Sequence, residues 1–288
     1  MIANARMYSV ESETYRLWRA LFTAVFGAAE LPVTLVDHAA PSPLEALWER
    51  PDQGAVFMCG LPFSRAPLQP VLVAAPVPAL ARAGAAQYWS HWVVRKEGAI
   101  NTVADAFGGR LALTVPGSQS GCAAALSFFM SGRHAPPLFA EITAPTVTPL
   151  GALHAVIRGE ADIAPIDSYA FSLMERYRAD LAAQVRIVGN TCPTPIPPLV
   201  ASADALEPPR LHALRSAFLS AHRRAPTRDL MARLLLRRFE LPTSGAYDVL
   251  RERFDIATAH WAVHRLAERL HPAFKLIIGD GSLGPGAV

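Results

Sequence analysis

Lysine is nearly absent from this chain: among 27 basic residues, only Lys96 and Lys275 are lysine and the rest are arginine. Cysteine is also scarce. Cys59, Cys122 and Cys192 are odd in number and lack metal-ligand spacing, so neither a disulfide framework nor a zinc site is expected and free thiols are the plain reading. No glycine is followed by the Lys-Ser or Lys-Thr of a phosphate-binding loop, so nucleoside triphosphate hydrolysis is not indicated. No apolar run reaches the ~20 residues that a bilayer requires: the uncharged stretch from Leu111 to Gly132 is split by Pro116-Gly117-Ser118-Gln119-Ser120-Gly121. Met1 to Val10 does not lead one to expect a secretory leader, because it carries Arg6 but runs into Glu11, Glu13 and Arg16 where an apolar segment would be needed. The expectation is a cytosolic chain or one whose leader has been removed. Aromatic platforms are few where arginine is densest, between Arg210 and Arg238, so those arginines read as solvated helix faces and no nucleic-acid partner is expected.

What is present is a chain of 288 residues, 51% of them hydrophobic, with a net charge of +3. That suffices for one large core or two moderate ones. Strand-like and helix-like pieces alternate. Strands are expected at Ile2 to Met7, Leu31 to Val36, Gly54 to Cys59, Leu68 to Ala75, Leu111 to Val115, Ala161 to Ile166 and Val185 to Val188. Helices are expected at Glu11 to Ala29, with Tyr15, Leu17, Trp18, Leu21, Phe22 and Val25 as its apolar stripe, at Leu44 to Arg50, at Thr148 to Arg158 closed by Gly159, and at Ser168 to Arg178. Pro76 to Ala86 reads as a loop. Beyond Ala205 the chain reads as helical to about Leu270, with a flexible tail at 276–288.

Gln87 to Arg95 is a long strand candidate, and the proline-rich run at Val188 to Val200 is stiff and extended. These two crossovers divide the chain into two α/β lobes, each expected to hold a mostly parallel sheet flanked by helices. Lobe 1 would be residues 1–90 plus 191–275, and lobe 2 would be 91–190. Ligands of such sheets bind at the carboxyl ends of strands. Tyr8, Cys59-Gly60, Pro116 to Gly121 and Asp167 stand at such ends, facing an expected interlobe cleft.

The most informative stretch is LALTV, then PGSQSG, then CAAALSFFM. A β-branched run meets a Gly/Ser turn that opens into a helix, so free N–H groups and two hydroxyls converge where the helix dipole places roughly +0.5 charge. Such a turn cradles an anion. Ser118 or Ser120 can equally be a simple N-cap, and both readings stay open here.

The succession GAVFMCGLPF, QYWSHWVVR, GRLALTVPGSQSG, LHAVIRGEADIAPID and VRIVGNTCPTPIPPLVAS resembles the phosphate/phosphonate substrate-binding proteins of ABC transporters, the PhnD-like group of type II periplasmic binding proteins. The likeness runs from about Met7 to Leu270. It implies a two-lobe fold, a small oxyanion or phosphonate-like solute bound in the cleft, ABC transporter membrane subunits as partners, a monomer, a periplasmic setting, and neither enzyme activity nor cofactor nor metal. The oxyanion would be held by Ser118, Gln119, Ser120 and Gly121, with Tyr8, Gly60, Tyr88, Ser90 and Asp167 completing the pocket. Tyr8 and Tyr88 have core packing as their alternative, and Asp167 has capping of the helix at Ser168. Two departures stand out: Gln119 replaces the Thr of a Ser-Thr-Ser-Gly turn, and Thr146 to Pro149 reads TVTP where many relatives carry Thr-Gly-Ser-His. One ligand contact is thereby lost, and a sulfonate, carboxylate or organic ring becomes an alternative ligand. His91 with Cys59 is the sole pair that suggests an enzyme, and a cytosolic ligand sensor is the third alternative.

Overall fold

The computed structural model describes residues 1–66, 70–80, 84–131 and 138–263. The expected tail at 276–288 and the last residues of the expected helical run lie outside these, as does Leu68 at the head of an expected strand. In chain order the elements are β1 (Ile2–Asn4), α1 (Ser12–Ala28), β2 (Thr34–Leu35), α2 (Leu44–Trp48), β3 (Gln53–Phe57), α3 (Gly60–Arg65), β4 (Val71–Pro78), β5 (Gln87–Tyr88), β6 (Ser90–Arg95), β7 (Arg110–Ala112), α4 (Ala124–Ser131), β8 (Glu141–Thr143), α5 (Pro149–Ile157), β9 (Ile163–Asp167), α6 (Ser168–Tyr177), α7 (Ala179–Ala182), β10 (Val185–Asn190), β11 (Thr194–Pro195), β12 (Leu199–Ala201), α8 (Pro208–Ser220), α9 (Ala225–Arg233), β13 (Leu236–Glu240) and α10 (Asp248–Val263).

Two compact units emerge. The first comprises Met1–Trp89, Asp167–Ala183 and Pro193–Arg251; the second comprises Ser90–Ile166, Gln184–Cys192 and the described residues from Glu252 onward. The chain therefore passes between units at more places than two crossovers. Asp167 to Ala183, expected in lobe 2, belongs with the first unit because its apolar face is spent there: Tyr169, Leu173 and Met174 are buried, and the Tyr169 hydroxyl donates to the Leu234 carbonyl at 2.7 Å.

The first unit is built on a six-stranded sheet in the order β13-β4-β12-β3-β1-β2. It is mixed, contrary to the expected mostly parallel sheet: β1 runs parallel to β2 and β3, whereas β12 is antiparallel to β3 and β4, and β13 is antiparallel to β4. The return of the chain after the proline-rich run supplies β12, and β13 was read from sequence as helix. Its Leu236 and Phe239 are buried against β4, and Leu235, at φ +55°, ends α9 just before it. The arginines beside them had imitated helical spacing. Pairing with β13 also carries β4 through Pro78, where proline had suggested a loop.

Helix α1 starts where Glu11 caps it. The Glu11 carboxylate accepts from the Glu13 N–H at 2.6 Å while the Glu11 N–H donates to Thr14 Oγ1 at 3.0 Å, a reciprocal box that fixes the first turn. Leu17, Trp18, Leu21, Phe22, Val25 and Phe26 form the buried stripe. Tyr15, expected in that stripe, lies on the outer face, where its hydroxyl donates to Asp37 and Arg19 lies over its ring at 5.3 Å.

The second unit carries a five-stranded sheet in the order β10-β6-β9-β7-β8, with β7 parallel to β8 and β9 and β10 antiparallel to β6. Its core gathers on Trp92, whose ring centroid lies 5.3 Å from Phe128 and 5.0 Å from Phe129. The Asp of the Gly-x-Ala-Asp motif is structural: Asp162 takes the Arg110 guanidinium through two hydrogen bonds, 2.9 and 3.2 Å, and the Arg110 N–H at 2.7 Å. The long strand expected over Gln87 to Arg95 is broken at Trp89. Ser168 captures that backbone, its N–H donating to the Trp89 carbonyl at 2.9 Å and its hydroxyl accepting the Trp89 N–H at 3.2 Å.

Candidate functional site

In the second unit, the Gly/Ser turn leads from β7 to α4. The Ser118 hydroxyl accepts the Gly121 N–H at 3.0 Å, so the capping reading of Ser118 holds. The helix does not open as α. The Ala123 N–H bonds to the Ser118 carbonyl at 3.0 Å and the Ala124 N–H to that of Gln119, the wide spacing of a π-type turn, which recurs at functional sites. As at any helix start, the first N–H groups, those of Gln119 and Ser120, have no acceptor within the helix, and the Ser120 hydroxyl makes no hydrogen bond among the described residues.

Neighbours hold this turn rigidly. Ser90, wholly buried, donates from its hydroxyl to the Ser120 carbonyl at 2.7 Å and receives support through its own N–H to Thr191 Oγ1 at 2.9 Å. Ser90 thus positions the turn. Its hydroxyl is not free for a ligand. Residue 121 must be glycine: a Cβ there would lie 2.0 Å from Thr114 Oγ1. Thr114 was not singled out from sequence, although its place at the end of the LALTV run, against the turn, was the available signal; its N–H also bonds the Gly121 carbonyl at 3.2 Å. The Gln119 side chain is 4% exposed, and its Oε1 and Thr114 Oγ1 are buried without a hydrogen-bond partner.

In the first unit, Asp167 ends β9 and caps α6, one carboxylate oxygen accepting from the Tyr169 and Ala170 N–H groups at 2.8 and 2.9 Å. The other oxygen faces the Tyr8 hydroxyl at 3.4 Å. Burial pushes the Asp167 carboxyl up to about 7, against the pull of those three donors. It is therefore partly protonated near neutrality and able to donate or accept. Burial and the Asp167 charge push the Tyr8 phenol well above its ordinary range, so it stays a neutral donor. Its ring meets Tyr169 at 4.6 Å and Phe57 at 5.0 Å, so the packing alternative weighed for Tyr8 is met as well. Tyr88 is 1% exposed and stands on β5, paired with Thr194 of β11.

Gly60 opens α3 but its bareness answers to packing: a Cβ would come 2.5 Å from Leu250 Cδ1 and 3.2 Å from the Tyr247 ring. Of the residues that suggested catalysis, His91 has its Nδ1 engaged with Asn190 Oδ1 at 2.6 Å and Cys59 is buried. Cys122 is buried and its thiol is pushed upward, so it is inert.

The sequence reading thus falls into two clusters, each inside one unit: Ser90, Ser118, Gln119, Ser120 and Gly121 in one, Tyr8, Gly60, Tyr88 and Asp167 in the other. The fold and these clusters define a two-unit α/β protein with hydrogen-bond donors gathered at a helix start. Residues 11–247 match the model of the periplasmic substrate-binding protein of phosphonate ABC transporters, and the chain belongs to that family. It is a family of transport components. Similar solved structures include a binding-protein component of an ABC phosphonate transporter from Pseudomonas aeruginosa, at a TM-score of 0.75 and 17% identity, covering 96% of this chain and 91% of that one. PhnD1 of Prochlorococcus marinus, solved in complex with methylphosphonate, is similar at 0.73 and 13% identity over 88% of this chain and 96% of its own. A chloride-bound protein of Xanthomonas citri follows at 0.64 and 14%, covering 90% and 98%. These likenesses establish the type II periplasmic binding fold. No curated protein sequence matches the chain.

Proposed function

We propose that the protein captures a small oxyanion of the phosphonate class at the turn formed by Ser118 to Gly121, and that as a monomer it hands this solute to the membrane subunits of an ABC transporter from a periplasmic setting. The observation that carries the reading is the pair of unmet N–H groups, Gln119 and Ser120, beside the unmet Ser120 hydroxyl. Hydrogen bonds from such groups to a charged oxygen contribute about 1.5 to 3 kcal/mol each. Within the first unit, Tyr8 faces Asp167 at 3.4 Å and Tyr88 is buried on β5. Membership of a transport family supports binding over catalysis.

Isothermal calorimetry against phosphate, phosphite, methylphosphonate, 2-aminoethylphosphonate, sulfate and taurine tests the proposal. At least one phosphorus oxyanion is expected to bind, and the Ser118→Ala, Ser120→Ala double variant is expected to lose roughly tenfold or more in affinity. Silence across the panel, or unchanged binding in the double variant, overturns the assignment.

A further inference from the structure

The first unit holds a cavity of its own, about 540 Å³ in volume and lined by residues of α2, α3 and the chain that follows β12. Trp48, Met58, Ala66 and Pro70 give it an apolar wall, and Trp48 is fixed there by its Nε1, which donates to the Phe57 carbonyl at 2.9 Å. Carboxylates stand at its rim. Glu45, Glu49 and Asp204 are exposed, and none of them makes an ion pair among the described residues. Of the two arginines that line it, Arg50 is spent on Asp52 through hydrogen bonds of 2.8 and 2.9 Å, and Arg65 is engaged as well. The cavity therefore carries a surplus of negative charge.

Gln53 adds a fixed acceptor. It is 2% exposed at the start of β3, and its Nε2 donates to the carbonyls of Leu47, at 3.3 Å, and of Trp48, so the amide cannot turn over without setting its oxygen against two others. Gln53 is part of the cavity wall, and with Nε2 taken, the atom it has left to offer there is Oε1, which is buried and has no partner. A buried carbonyl oxygen left unpaired is costly and calls for an explanation. Acceptors inside and carboxylates outside ask for the same thing, N–H donors that carry positive charge. We infer that this cavity is a second binding site, for a small organic cation such as an amidinium or guanidinium on an apolar body. Its N–H groups meet Gln53 Oε1, its hydrocarbon meets the Trp48 and Met58 wall, and the rim carboxylates balance its charge. This ligand is opposite in charge to an oxyanion, so the inference stands or falls independently of anion capture at the Ser118–Gly121 turn.

Benzamidinium and benzamide isolate the effect, since they share a ring and a planar head and differ in charge and in the number of N–H donors. Saturation-transfer NMR and calorimetry on the intact protein in low-salt buffer are expected to show benzamidinium bound about tenfold or more tightly than benzamide. Glu49→Gln combined with Asp204→Asn alters only exposed side chains and is expected to weaken benzamidinium about threefold or more while leaving benzamide where it was. Gln53→Met, checked for folding by its melting curve, removes the buried acceptor and is expected to weaken benzamidinium by about tenfold. Equal affinities for the two probes, benzamidinium binding unchanged by Glu49→Gln with Asp204→Asn, or silence from both probes at millimolar concentration overturns the inference.

Discussion

Replacing Asp167 by Asn removes one ionisation and little else, because Asn caps a helix about as well as Asp and has nearly the same shape. The Asp167 carboxyl titrates near 3.8 when unhindered and at about 7 in the fold, where burial outweighs the Tyr8, Tyr169 and Ala170 donors. The folded state therefore binds this proton more tightly than the unfolded chain. Its contribution is fully present below about pH 4, is lost as pH rises toward 7, and stays lost above it. A difference of about three units, at 1.36 kcal/mol each, amounts to roughly 4 kcal/mol. Urea denaturation of both proteins between about pH 4 and pH 8 reads this directly, since every other shifted group is shared and cancels in the difference. Asp162, held low by Arg110, has the opposite sign and is common to both. The Asn variant is expected to match the parent in acid and to become more stable by up to roughly 4 kcal/mol in mild alkali. A gap that stays constant, or that widens toward acid, refutes the reasoning. Tyr8→Phe should raise the Asp167 titration further, because the phenol favours the ionised form; carboxyl infrared bands or NMR would show the shift.

Other expectations follow from the turn. Gly121→Ala should cost about 3 kcal/mol in denaturant unfolding, with part of it recovered by adding Thr114→Ala, since the clash is with that side chain. Gly60→Ala should cost less, because its nearest obstacle is the end of a flexible leucine. Ser90→Ala leaves the Ser120 carbonyl without its donor and should cost about 1 to 3 kcal/mol in stability, with weaker anion binding in the same calorimetric assay.

Much of the fold was legible because local signals are strong where one face is buried and one solvated. Helix α1 has its capping box and stripe, α5 its Thr148 cap and Pro149 start, and Gly159 its φ of +71°. The turn at Ser118 to Gly121 was equally legible, since a glycine-rich bend between an apolar strand and an Ala-rich run has few other uses.

What the amino-acid order determined alone was therefore the alternation of elements, the two-part division in outline, the free thiols and the helix-start turn. Tertiary structure decided the rest. Whether Leu236 to Glu240 is strand or helix depends on the free edge of β4, a partner more than 150 residues away in the chain. Asp167 to Ala183 joins the first unit through the Tyr169 and Tyr177 hydroxyls, which donate to the Leu234 and Arg233 carbonyls where α9 ends, contacts that no local pattern encodes, and the ionisation of Asp167 follows from its burial. Hydrophobic periodicity states which side of an element avoids water. It does not state which other element will cover it, and on that choice the strand edges, the unpaired polar atoms and the shifted acid all depend.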